Sequence, residues 1–231
     1  MTFPAVTVAQ SCATRAVACR RLILLRHAEA DFLGRFCGHS NPGLTVQGRA
    51  MLPAIIQCLS LAGCSPTVIW SSDLKRAQET AAPIAKHFGL FLATSAGLRE
   101  MNFGSWEGLT WSAVERQYPE DARAWIERFP HHRPPGGESF LELQARVITE
   151  LESLAERAES GSVIAVTHAG FIRTAIGWVL GMPDTRISRI TQYHGAISVL
   201  ENFATHWSVA ATNLSVSGMP QPNGEGGEAR L

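Results

Sequence analysis

Two arginines, two histidines and one carboxylate follow short apolar runs in this 231-residue chain, and together they could bind and transfer a phosphoryl group. Arg26-His27 stands directly behind Leu22-Ile23-Leu24-Leu25, and Arg76 follows Thr67-Val68-Ile69-Trp70 after Ser71-Ser72-Asp73-Leu74-Lys75. Glu100 follows Phe91-Leu92-Ala93-Thr94 by way of Gly97-Leu98-Arg99, and His168 ends Ser162-Val163-Ile164-Ala165-Val166-Thr167. Guanidinium groups match phosphate oxygens in bidentate fashion and stay charged at any working pH. Histidine can attack phosphorus and carry a covalent intermediate, which splits one hard displacement into two easier ones. The departing oxygen then needs a proton donor, and Glu100 is the one carboxylate suitably placed.

Such groups must be brought together by the elements behind them. A short apolar run that ends abruptly in charge reads as a buried parallel strand. In open α/β sheets, ligands bind outside the carboxyl ends of such strands. Strand signals alternate with helical ones, which predicts a three-layer α/β/α fold, a mostly parallel open sheet with helices on both faces. One helix opens at Leu44-Thr45, with Pro53 expected in its first turns. Ser72 is the expected N-cap of a second, stopped by Gly89 and kinked or broken at Pro83. Phe140, Leu143, Val147, Leu151 and Leu154 form the clearest helical stripe, and Gly170 to Leu180 reads as another helix. The Ser72 and Ala169-Gly170 helix starts would add backbone N–H donors for an anion. Ala196–Leu200 and Trp207–Ala211 read as a late edge hairpin. The irregular stretch from Glu100 to Gly137 reads as a lid or substrate wall.

Composition narrows the partners. At 45% hydrophobic residues there is material for one sizeable core, and twenty basic against twenty acidic residues leave no net charge to attract nucleic acid or an anionic membrane. No apolar stretch approaches the roughly 20 residues of a membrane span. The cysteines at 12, 19, 37, 58 and 64 lack metal-site spacing, so reduced thiols, a cytoplasmic location and no metal are expected. Residues 1–20 read as an N-terminal extension without a secretory pattern, 21–211 as the folded domain, and 212–231 as a disordered tail rich in glycine and proline. Oligomeric state is not legible.

The motifs resemble those of the histidine phosphatase superfamily, the phosphoglycerate mutase-like group. Leu24-Leu25-Arg26-His27-Ala28-Glu29 resembles its nucleophile signature, and Ser72–Thr80 its second arginine motif. Leu98-Arg99-Glu100 through Gly108 is similar to its proton-donor segment, and Val166-Thr167-His168-Ala169-Gly170 to its second histidine motif. The resemblance implies that His27 is phosphorylated, that Arg26, Arg76 and His168 clamp the phosphoryl group, and that Glu100 protonates the leaving oxygen and then activates water. Cys37, Gly38 and Ala169 fall where it implies substrate contacts. It implies no cofactor, and a small phosphomonoester as the partner. The segment after Glu100 lacks the histidine-tyrosine pair of the mutases. The Phe103–Glu107, Pro135–Phe140 and Leu180–Pro183 stretches resemble α-ribazole phosphatases, with broad-specificity sugar phosphatases as the near alternative.

Three positions depart from the pattern: Ala28 replaces a glycine, Leu33 an asparagine, and Cys37 a small hydroxyl residue. Other readings compete. A lone buried histidine is usually structural, Glu107 competes with Glu100, and Glu29 is expected to orient an arginine. Trp106 and Trp111 could stack on a substrate or pack a lid. His39 and His194 could line the pocket mouth or lie on the surface, while His131-His132 reads as a solvated loop.

Overall fold

Leu22 to Leu25 are fully buried because they form the middle of β1 (Cys19–Arg26), a strand with neighbours on both sides. Side chains alternate faces along a strand, so an unbroken apolar run means that both faces are covered. Leu22 and Leu24 enter one core; Ile23 and Leu25 enter the other. The computed structural model describes residues 19–32, 34–61, 65–158, 161–203 and 206–215.

Three further strands run parallel to β1 in the same sheet: β2 (Pro66–Ser72), β3 (Leu92–Ser95) and β4 (Ser162–Thr167). β5 (Ile197–Phe203) pairs antiparallel with β1, and β6 (His206–Leu214) closes a hairpin on β5. The order is β3-β2-β4-β1-β5-β6. Leu25 lies opposite Val166, which lies opposite Ser71, so the carboxyl ends of β1, β4 and β2 finish level with one another. One edge therefore receives every residue that follows those strands.

Helices α1 (Val46–Leu61) and α2 (Lys75–Phe88) cover the Ile23 and Leu25 face with Ile55, Leu59, Ala77, Ala81 and Ile84. The opposite face holds the short α3 (Trp111–Gln117) and α4 (Pro119–Glu127), then α5 (Phe140–Arg157) and α6 (Ala169–Val179). The stripe from Phe140 to Leu154 is buried along α5, whose start carries a reciprocal Ser139–Glu142 capping box. This is the three-layer α/β/α arrangement expected from the sequence.

Several local expectations are corrected. Ser71 and Ser72 continue β2, pairing with Val166 and Ser95, so α2 starts later and Leu74 is its N-cap; the Ser72 hydroxyl only accepts from the Leu74 N–H. Pro83 neither breaks α2 nor ends it, and Pro53 lies in the middle of α1 rather than its first turns. A mid-helix proline costs about 3 kcal/mol. In α2, burial of Ala77, Thr80, Ala81, Ile84 and Ala85 against the sheet outweighs that cost. The expected lid is more regular than its composition suggests, holding α3 and α4. The sheet includes Cys19 and Arg20 and runs on to Leu214, beyond the 21–211 limits read from sequence. Most of the expected extension and tail, and Leu33, lie outside the described residues.

Candidate active site

His27 leaves β1 at the sheet edge, and its N–H donates to the Thr167 carbonyl at 2.9 Å, tying it to the end of β4. The next N–H, that of Ala28, donates to the Thr80 hydroxyl at 3.0 Å, and that hydroxyl donates to the Arg76 carbonyl. The nucleophile candidate and the first turn of α2 are thereby fixed to each other. Ala28 does not have positive φ, so a side chain replaces the expected glycine there without strain.

Arg26, His27, Arg76, Glu100, Ala169 and Gly170 line one cavity at this edge, with Cys37 in its wall. The His27 Nδ1 lies 2.8 Å from the Ala28 carbonyl, and the Arg76 Nε–H donates to its Nε2 at 3.3 Å. An arginine N–H can only donate, so Nε2 accepts and Nδ1 carries the proton. Burial holds the His27 pKa well below its usual range, reinforced by the nearby His168, Arg76, His194 and Arg26. The ring is thus neutral, with a lone pair on Nε2.

His168 is the N-cap residue of α6 and is fully buried, its ring centroid 5.0 Å from that of His27. Neither of its ring nitrogens has a hydrogen-bond partner among the described residues. Burial, with Arg76 and Arg26 next, also pushes its pKa well down. Such orphaned buried nitrogens are costly unless a ligand satisfies them. Arg26 donates to the Gln192 carbonyl and, at 2.9 Å, to the His194 Nε2.

Glu100 follows a 3₁₀ turn at Ala96–Leu98, and its carboxylate accepts from the N–H groups of Met101 and Gly170, both at 2.9 Å. The α6 start, expected to offer its N–H groups to an anion, here holds the Glu100 side chain. Arg146 fixes the same segment from behind, donating to the carbonyls of Gly97, Arg99 and Glu100 and pairing with Glu138. Glu107 does not line the cavity: its carboxylate accepts backbone N–H groups from Gly38, His39 and Ser40.

Gly38 also stays off the cavity wall and gives its carbonyl to Arg76. His168 is not among the residues that line the cavity, but its ring adjoins that of His27, which is. Trp106 is fully buried against Phe36, Trp111 and Trp125, and neither Trp106 nor Trp111 reaches the cavity. Among the described residues Glu29 orients no arginine; it accepts the Thr45 hydroxyl at 2.7 Å. His194 lines the cavity, whereas His39 lies against the Glu100 carbonyl. His132 sits 3.2 Å from Asp121, away from the cavity. Phe103 lies in the stretch that reads as a lid or substrate wall, whereas sequence reasoning missed Phe32, Phe36, Arg35 and Arg173 in the outer wall. They come from loops and one helix turn without a periodic signal, although Arg173 lies one turn beyond the His168 motif.

The chain matches a model of the histidine phosphatase superfamily (branch 1) over residues 22–215. It is 30% identical over 190 residues to adenosylcobalamin/alpha-ribazole phosphatase of Escherichia coli, covering 80% of this chain and 93% of that protein. It is 34% identical over 165 residues to phosphoserine phosphatase 1 of Hydrogenobacter thermophilus, covering 70% and 77% respectively. The crystal structure of the alpha-ribazole phosphatase from Shigella flexneri superposes with a TM-score of 0.77 at 26% identity, over 84% of this chain and 96% of that one. The chain spans about half the length (50%) of three mycobacterial relatives to which it is 31% identical over 186 residues. With the match running through β1 to β6, the chain belongs to the histidine phosphatase superfamily.

Proposed function

We propose that the protein hydrolyses small phosphomonoesters through a phosphohistidine at His27, without a metal. The observation that carries this reading is the state of His27: buried, neutral, with Nδ1 against the Ala28 carbonyl and Nε2 directed to Arg76. In the first step Nε2 attacks phosphorus, the bond from phosphorus to the ester oxygen breaks, and Glu100 protonates that oxygen. In the second, water attacks the phosphorus of phosphohistidine, Glu100 takes its proton, and inorganic phosphate leaves with His27 restored. Arg26, Arg76 and His168 hold the phosphoryl oxygens, the last through a ring nitrogen otherwise left unsatisfied. Charge stabilisation by such preorganised donors carries most of the catalysis in phosphoryl transfer.

For the substrate, α-ribazole 5′-phosphate is the first candidate, which would place the protein in cobalamin biosynthesis. The aromatic surface of Phe32, Phe36 and Phe103 in the cavity wall supports it, Phe103 being the cavity residue in the stretches that resemble α-ribazole phosphatases. A second reading is a phosphomonoester bearing a carboxylate, favoured by Arg35 and Arg173 in the same wall. The test is turnover of α-ribazole 5′-phosphate, phosphoserine, 3-phosphoglycerate and sugar phosphates by EDTA-treated protein. Preference for α-ribazole 5′-phosphate supports the first reading and preference for an acid the second. Isomerisation of 3-phosphoglycerate faster than its hydrolysis would mark a mutase instead. Loss of all activity after EDTA would overturn the metal-independent mechanism.

A further inference from the structure

Glu107 gathers a dense set of donors for a side chain that does not face the cavity. Its carboxylate accepts from the N–H groups of Gly38 at 3.0 Å, His39 at 2.7 Å, Ser40 at 3.1 Å and Phe103 at 3.3 Å. It also accepts from the Ser40 hydroxyl at 2.6 Å. Successive backbone N–H groups turned to one point form an anion-binding concavity, and here the anion is a side chain of the protein itself. The same loop turns its carbonyls the other way. Arg76 donates to Ser40 at 2.7 Å, to Gly38 at 2.8 Å and to Cys37 at 3.3 Å, leaving its Nε–H on His27. Peptide units of one short loop thus stand between an anion and a cation with their dipoles aligned to both. Gly38 is the only residue type that fits, because a Cβ there would lie 1.9 Å from the Met101 carbonyl oxygen and 2.5 Å from Glu107.

We propose that Glu107 is a positioning residue, holding the Arg76 guanidinium in register with His27 through the loop of residues 37–40. The inference rests on the proposed role of Arg76 as a phosphoryl ligand only for its catalytic consequence. Glu107→Gln keeps the side-chain shape but removes the charge and sets an NH₂ group against backbone donors. The loop can then no longer turn its carbonyls on Arg76.

The readout is the Arg76 Nε–H resonance in a ¹⁵N spectrum, assigned by its absence in Arg76→Lys, together with competitive inhibition by inorganic phosphate and the melting temperature. In the wild type that resonance is expected to exchange slowly with solvent. In Glu107→Gln it is expected to be lost to exchange, and phosphate inhibition to weaken about tenfold, as loss of a charged hydrogen-bond geometry implies. The melting temperature is expected to fall by only a few degrees. Persistence of the resonance at wild-type protection would overturn the proposal. Its loss with unchanged phosphate inhibition would uphold the positioning and overturn Arg76 as a phosphoryl ligand. Should Glu107→Gln not fold, Ser40→Ala, which removes one donor and keeps the carboxylate, is expected to speed the same exchange, and unchanged exchange there also counts against the proposal.

Discussion

The backbone N–H of Gly170 donates to Oε2 of Glu100 at 2.9 Å, and the two residues are so close that a Cβ on Gly170 would stand 2.2 Å from Oε1. The proton-donor candidate is therefore placed by the absence of a side chain at the second residue of α6. Alanine is a good helix former, so Gly170→Ala is expected to keep the fold and displace Glu100. Turnover of alkyl phosphates, which need a protonated leaving group, should fall about a hundredfold, a typical share for general acid catalysis. Turnover of p-nitrophenyl phosphate should fall much less. Equal losses for both leaving groups would remove Glu100 from that role.

Glu100→Gln is expected to show the same leaving-group split, its amide oxygen keeping one of the two N–H contacts and its NH₂ losing the other, since Met101 and Gly170 donate to different carboxylate oxygens. His27→Ala is expected to abolish turnover and acid-labile phosphoenzyme with an unchanged circular dichroism spectrum. Phosphoenzyme formation by His27→Ala would sink the mechanism.

Stability should depend on pH through the two buried histidines. Burial lowers the pKa of both His27 and His168 in the folded state, whereas in the unfolded chain they titrate near about 6.5. Below that pH the unfolded state binds protons that the folded state refuses, so stability falls as pH drops. The loss approaches about 1.4 kcal/mol per pH unit for each histidine until its folded pKa is reached. Asp73, Glu79 and Glu142, whose pKa values are also lowered, lose their contributions only in the carboxylate range further down. Urea denaturation between pH 7 and pH 5 checks this, with His27→Gln/His168→Gln expected to flatten the slope.

Arg146 makes its bonds to a segment that has no regular structure beyond one 3₁₀ turn. Arg146→Met is expected to cost at least about 3 kcal/mol, since hydrogen bonds to a charged group are worth about 1.5–3 kcal/mol each and several carbonyls lose their donor. It should also lower turnover without changing inhibition by phosphate. Denaturant midpoints and steady-state kinetics separate the two effects.

Cys37 lines the cavity, yet burial pushes its thiol pKa up to about 11. At pH 8 about one part in a thousand is thiolate, the reactive form. Iodoacetamide at that pH is expected to leave Cys37 unmodified on the time scale of a turnover assay, as peptide mapping would show.

The sequence made the inner half of the site legible because each of its residues follows an apolar run. Arg26 and His27 end β1, His168 follows β4, and a parallel sheet leaves only one edge for such ends. Glu107 was harder to place. As a carboxylate near Glu100 it reads as a rival acid, and the donors that occupy it lie 67 to 69 positions away at Ser40, His39 and Gly38. Trp106 likewise reads equally well as wall or core until Phe36 and Trp125 are seen against it. The Pro135–Phe140 stretch, which carries part of the likeness to α-ribazole phosphatases, packs and caps rather than touches the cavity. Gly137 abuts the Asn102 carbonyl, Glu138 pairs with Arg146, and Ser139 caps α5. Motif likeness in that stretch reports on scaffold.

β1 is hydrogen-bonded to β4 on one side and β5 on the other. Amide protons in such a strand exchange only when the whole sheet opens, whereas loops are released at far lower free energy. The site thus joins two kinds of support: His27 follows a strand paired on both sides, and the Arg76 guanidinium rests on the loop of residues 37–40, which has no strand neighbours and is held through the Glu107 carboxylate. Mild denaturant would then silence the site while its nucleophile stayed in place, and inactivation would run ahead of the global transition.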